Sequence, residues 1–142
     1  MLDSAFKVFC QQQPFTPPGF SICERLPFYN PDGCCHNNGE YIFYESESSS
    51  NKKTHVGAFL EACQAAKALN ASALRLFFVQ KENPPKITVQ QLQNYFIPYA
   101  TFMRGLMPSL DIKIFFITDI NFEALKGTSD SIFKVLNQFL SV

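Results

Sequence analysis

Leu74-Arg75-Leu76-Phe77-Phe78-Val79-Gln80 and Ile112-Lys113-Ile114-Phe115-Phe116-Ile117-Thr118 match position by position in residue type. Each has one cation near its entry, a Phe-Phe pair in the middle and a polar exit. The apolar residues run together instead of alternating, so both faces of such a strand must be covered. That is the pattern of a central parallel strand under helices. Shared burial accounts for the likeness more simply than an internal duplication does. A helical pattern follows each stretch, and this alternation argues for parallel pairing with right-handed crossovers.

Working outward, Thr54 is placed to cap a helix before the first strand, with Val56, Phe59, Leu60 and Cys63 as its apolar stripe and Asn70 at its end. Between the two strands, Thr88 and Gln91 form a capping box, and Ile87 and Leu92 a hydrophobic staple. Leu92, Phe96, Tyr99, Met103 and Leu106 line one face of that helix. Pro98 removes a donor inside it and predicts a kink; Gly105 and Pro108 end it. After the second strand, Ser129 is placed to cap a last helix with the face Ile132, Val135, Leu136, Phe139 and Leu140.

The N-terminal part is less regular. Leu2, Phe6 and Phe9 recur at helical spacing behind Asp3. The run Pro14-Phe15-Thr16-Pro17-Pro18-Gly19 predicts an extended connector. Residues 20–28 read as an edge strand, because Pro27 lacks a ladder donor. Asn30-Pro31-Asp32-Gly33 is a turn signal that extends through Cys34–Gly39. Tyr41–Tyr44 reads as a second strand antiparallel to the first, and residues 45–53, without an apolar side chain, as an exposed loop. The expectation is a single domain: an N-terminal helix and connector over 1–19, and over 20–142 a three-layer α/β sandwich. Its mixed sheet has about four strands, an antiparallel hairpin joined to parallel βα units.

The 142 residues are 46% hydrophobic with 16 Phe, enough to build a core and to exclude extensive disorder. Twelve basic and twelve acidic residues cancel, which disfavours nucleic acid as a partner. No apolar run reaches the ~20 residues a membrane span needs, and no signal-peptide pattern opens the chain. Five cysteines, Cys10, Cys23, Cys34, Cys35 and Cys63, are an odd number with two adjacent. That argues against a disulfide framework and for free thiols in a cytoplasmic setting.

Chemistry in an open α/β sheet gathers at the C-terminal ends of its parallel strands. There the chain offers Glu45 and Glu47, then Lys81, then Asp119, with His55 at the next helix start. Glu45, Glu47 and Asp119 would hold a divalent cation, Lys81 would meet developing charge and His55 would carry a proton, as in a small phosphoester hydrolase or nuclease. Solvated loops make strand exits polar in most such domains, so the set is not specific. Cys34-Cys35-His36 with Cys23 has the wrong spacing for zinc, since adjacent cysteines point apart. Cys35 beside a histidine lacks any sign of an activated thiol. Glycine-rich phosphate loops and a G-x-S-x-G elbow are missing. No cofactor is expected.

Tyr95, Tyr99, Phe102 and Met103 ring one helix with more aromatic surface than a single stripe must bury. Such residues typify protein-binding surfaces. The favoured reading is a non-catalytic interaction or regulatory module, an adaptor, accessory subunit or inhibitor with a protein partner; self-association stays open.

Overall fold

The computed structural model describes residues 3–12, 14–82, 87–125 and 132–142. Six strands form one mixed sheet, β1 (Ser21–Ile22), β2 (Gly33–Asn37), β3 (Glu40–Glu47), β4 (Ala73–Gln80), β5 (Asp111–Thr118) and β6 (Leu140–Ser141). They lie side by side in chain order. The pairs β3–β4 and β4–β5 are parallel; β1–β2, β2–β3 and β5–β6 are antiparallel. The helices are α1 (Asp3–Cys10), α2 (Lys52–Ala68), α3 (Val89–Leu106), α4 (Asp119–Ala124) and a 3₁₀ helix, α5 (Ile132–Gln138).

The two matching stretches are β4 and β5, and the match is their pairing register: Leu74 lies beside Ile112, Phe77 beside Phe115 and Phe78 beside Phe116. Phe77 and Phe115 stack at 4.6 Å, Phe78 and Phe116 at 5.8 Å. Like residues therefore form ladders across the sheet. At the entry end, Arg75 bridges Glu40 at 3.3 Å and Asp111 at 2.8 Å.

Alternate residues of these strands feed two separate buried clusters. Phe43, Leu74, Leu76, Phe78, Ile112, Ile114 and Phe116 join α2 and α3 residues in one. Ile42, Tyr44, Phe77, Val79, Phe115 and Ile117 join Phe6, Phe9, Phe15, Phe122, Ile132 and Phe139 in the other. The Pro14–Gly19 run is thus more than a connector. Phe15 is buried, stacks on Phe122 at 4.1 Å, and its carbonyl accepts the Tyr44 hydroxyl at 2.6 Å.

The sheet has six strands where about four are expected. The β2–β3 hairpin turns on Asn38-Gly39, both at positive φ (49° and 83°). Cys34–Asn37 is therefore strand and not loop, and of residues 20–28 the strand keeps only Ser21–Ile22, which pairs with β2 and not with β3. The loop expected over 45–53 shrinks, because β3 continues to Glu47 and Asn51, not Thr54, caps α2 by accepting Lys53 N–H at 3.0 Å. The expected last helix splits into α5 and β6. Phe139 packs edge-on to Phe77 at 5.2 Å, and Val142 exchanges two backbone hydrogen bonds with Ile114, closing the edge of β5. An open edge leaves backbone groups unpaired, which outweighs another helical turn. Ser129 and Leu2 lie outside the described residues.

The box on α3 forms as read: Thr88 Oγ1 accepts Gln91 N–H at 3.1 Å, and Gln91 Oε1 accepts Thr88 N–H at 3.0 Å. Its buried stripe is Leu92, Phe96 and Ala100, so Tyr99 and Leu106 turn outward. On α2 the buried face is His55, Phe59, Ala62, Cys63, Ala65 and Ala66, leaving Leu60 half exposed. The alanines set this face, because small side chains let the helix lie close to β3 and β4.

Candidate functional site

Rotation of these two buried stripes toward the sheet leaves an apolar groove between α2 and α3. A hollow of about 540 Å³ is lined by Val56, Phe59, Leu60, Tyr99, Phe102 and Met103, with Pro98. A second of about 540 Å³ shares Leu60 and Met103 and runs on past Cys63 to Leu106 and Met107. Phe102 is 64% exposed and Leu106 62% exposed, although the first cluster, beneath them, is closed to water. Of the four aromatic and Met positions singled out above, Tyr99, Phe102 and Met103 line the groove. Tyr95 packs partly into the first cluster, receives the Tyr99 hydroxyl at 3.4 Å and lies under the Lys52 ammonium at 5.0 Å.

The strand-exit residues are distributed differently. Glu47, Gln80 and Thr118 sit in register across β3, β4 and β5. The Glu47 carboxylate accepts the N–H groups of Ser48 and Ser49, and Asp119 Oδ1 those of Glu82 and Ile120. Both carboxylates are engaged with backbone, Glu47 just after β3 and Asp119 at the start of α4 and at the exit of β4. Glu45 lies two residues back, where it accepts the Tyr29 hydroxyl at 2.5 Å. Desolvation raises its pKa to about 7, against the lowering effect of that hydrogen bond. Lys81 continues the ladder, its N–H donating to the Glu47 carbonyl at 2.9 Å. His55 is fully buried against Phe78, with Nε2 at 2.8 Å from Gln80 Oε1, and Nδ1 has no partner among the described residues. It has no route to a solvent-borne substrate. Among the described residues, no three His, Cys, Asp or Glu side chains are grouped so as to hold a metal ion.

The cysteines also depart from expectation. Cys23 and Cys34 form a disulfide, with Cα atoms 5.3 Å apart. The β1–β2 register continues past Ile22–Cys35 to bring these two residues opposite, where Cys23 N–H donates to the Cys34 carbonyl. An odd count concealed one cross-strand pair, and the inference of free thiols fails for these two. Cys10, Cys35 and Cys63 stay free and buried. Desolvation pushes Cys35 and Cys63 up to about 12, far from an activated nucleophile. His36 does not face Cys35; its ring stacks on Tyr41 at 5.2 Å.

A further hollow, of about 580 Å³, opens beside the disulfide, with Lys7, Arg25, Tyr29, Asp32 and Glu61 in its wall. Its charges are of both signs, and two of its wall residues are engaged within the fold, Tyr29 with Glu45 and Asp32 with the Ser46 N–H at 2.8 Å. Residues 20–32 carry the pattern of an edge strand and a turn, and no motif in them marks a site.

No family model matches the chain, and comparison with curated proteins and with solved structures finds no match. Among the described residues, no helix is long and apolar enough to cross a membrane.

Proposed function

We propose that the chain is a non-catalytic protein-interaction module, an adaptor, accessory subunit or inhibitor, that docks a partner in the α2–α3 groove. One observation carries this: a continuous apolar groove, bearing exposed Leu60, Phe102 and Leu106, lies over a core that does not need these side chains. Contiguous exposed apolar surface of this kind marks interaction sites, and aromatic and Met residues are enriched at their centres. Hydrolysis at the strand exits draws no comparable support, since Glu47 and Asp119 hold backbone and His55 is enclosed. The two clusters on opposite strand faces support a three-layer sandwich. Three buried free thiols support a cytoplasmic setting, against which the Cys23–Cys34 pair weighs.

The test is Phe102→Asp. An exposed site outside the core changes stability by about 0.5 kcal/mol or less, so the melting curve should hardly move. Partners captured quantitatively by the parent chain should be lost from the variant. Capture that is identical for both proteins sinks the reading.

A further inference from the structure

The groove is charged around its apolar floor, and the charge has one sign. Helix α2 carries Lys52, Lys53, Glu61 and Lys67, and α3 carries Arg104 as its single charged residue. Glu61 belongs to the opposite flank of α2, where it lines the hollow beside Tyr29 and Asp32. The Arg104 guanidinium is committed to the carbonyls of Ile112, at 2.8 Å, and Val142, at 2.9 Å. Three lysines remain, and they bracket the groove. Lys52 lies over Tyr95, and Lys53 precedes the groove-lining Val56 and Leu60 by three and seven residues on the same side of α2, at one end. Lys67 lines the other end with Leu106 and Met107. Among the described residues no acid lines either hollow of the groove.

Resting on the docking reading above, we propose that the occupant is an acidic amphipathic helix, with an apolar stripe seated between α2 and α3 and Asp or Glu flanks facing Lys52, Lys53 and Lys67. From Pro98 to Met107 the groove runs roughly 14 Å at ~1.5 Å per residue, which matches two to three turns of helix. Helix-in-groove recognition uses this combination of i, i+3, i+4, i+7 anchors and a polar back. Charge complementarity at the rim then sets partner choice and the rate of encounter. A second copy of this chain fits less well, because a two-fold contact through the groove would set lysines against lysines. An anionic bilayer fits less well too. Three lysines fall short of the ~4–8 that mark lipid-binding clusters, and a flat surface does not reach the floor formed by Phe59 and Met103.

The experiment titrates the full chain into two labelled helical peptides of about 18 residues. Both carry Leu on one face; the rest is Glu in one and Lys in the other. The Glu peptide should bind at least ten times more tightly than its Lys twin, and weaken several-fold between about 50 and 300 mM salt as the rim charges are screened. Lys53→Glu combined with Lys67→Glu, both exposed sites, should reverse the preference, and Phe102→Asp should abolish both complexes. Circular dichroism of each variant establishes that it is folded. Equal binding of the twins, lost in Phe102→Asp, overturns the acidic character while the docking face stands. A preference for Glu that survives the double reversal overturns the assignment to this rim. Binding of neither peptide overturns the inference. If in that case phosphatidylserine vesicles are bound, or sedimentation shows a dimer lost in Phe102→Asp, the face belongs to lipid or to a second copy. Partner capture indifferent to Phe102→Asp removes the docking reading as well.

Discussion

The Tyr29 hydroxyl donates to Glu45 at 2.5 Å, which favours the carboxylate, while removal from water opposes it. Desolvation wins, helped by the nearby charges of Asp32, Glu47 and Glu61, and the carboxyl titrates at about 7 against 4.5 in the unfolded chain. The folded state therefore holds the extra proton between those values, and stability falls as pH rises through that window. The stabilising contribution is whole below pH 4.5 and gone above 7. Glu45→Gln keeps an acceptor for Tyr29 and never ionises. It should be the more stable protein at pH 8, by up to about 3 kcal/mol, with the gap closing toward pH 4.5 in urea melts. A gap of constant size across the window would assign the pH response to another group. Neither Glu45 nor His55 was legible at this scale. Both stood out as polar residues near strand and helix ends, and only the reach of β3 and the rotation of α2 show them to be enclosed.

Elements that satisfy themselves locally were readable: β4 and β5 from their unbroken apolar runs, and α3 from its reciprocal cap. Elements made by their partners were not. Gly33-Cys34-Cys35-His36-Asn37 has no strand pattern and becomes β2 because β3 and β1 flank it. The signal that would have located it is Asn38-Gly39, a dipeptide suited to the two positive φ values of a tight hairpin turn. The same pairing creates the Cys23–Cys34 link across a sequence separation of 11. Closing a loop of that size stabilises by about 3 kcal/mol through the unfolded chain. Reduction should lower the urea midpoint accordingly. Alkylation of the unreduced, denatured chain should label Cys10, Cys35 and Cys63 alone, and labelling of all five would disprove the link. Similarly, the groove was legible as surplus aromatic surface on α3, but its second wall on α2 was not, because Leu60 reads as core until the alanines take that place.

Across the whole molecule, protection should grade from the centre outward. Strands β4 and β5 are paired on both sides and buried on both faces, whereas β1 and β6 pair through two residues each. Amide exchange followed by NMR should be slowest over Leu74–Val79 and Ile112–Ile117 and fastest, among the strands, at Ser21–Ile22. Equal protection at β1 and β4 would contradict this gradient. The strand order also bears on how the chain is made. Each strand emerging from the ribosome finds its neighbour already outside, so the sheet can grow in step with synthesis. Helix α1 is the exception. Phe6 and Phe9 pack on Phe122, and the Pro14 carbonyl accepts Ile132 N–H. Helix α1 must wait until Phe122 and Ile132 have been made, and until they arrive the nascent chain presents a wet aromatic face, a natural target for chaperones.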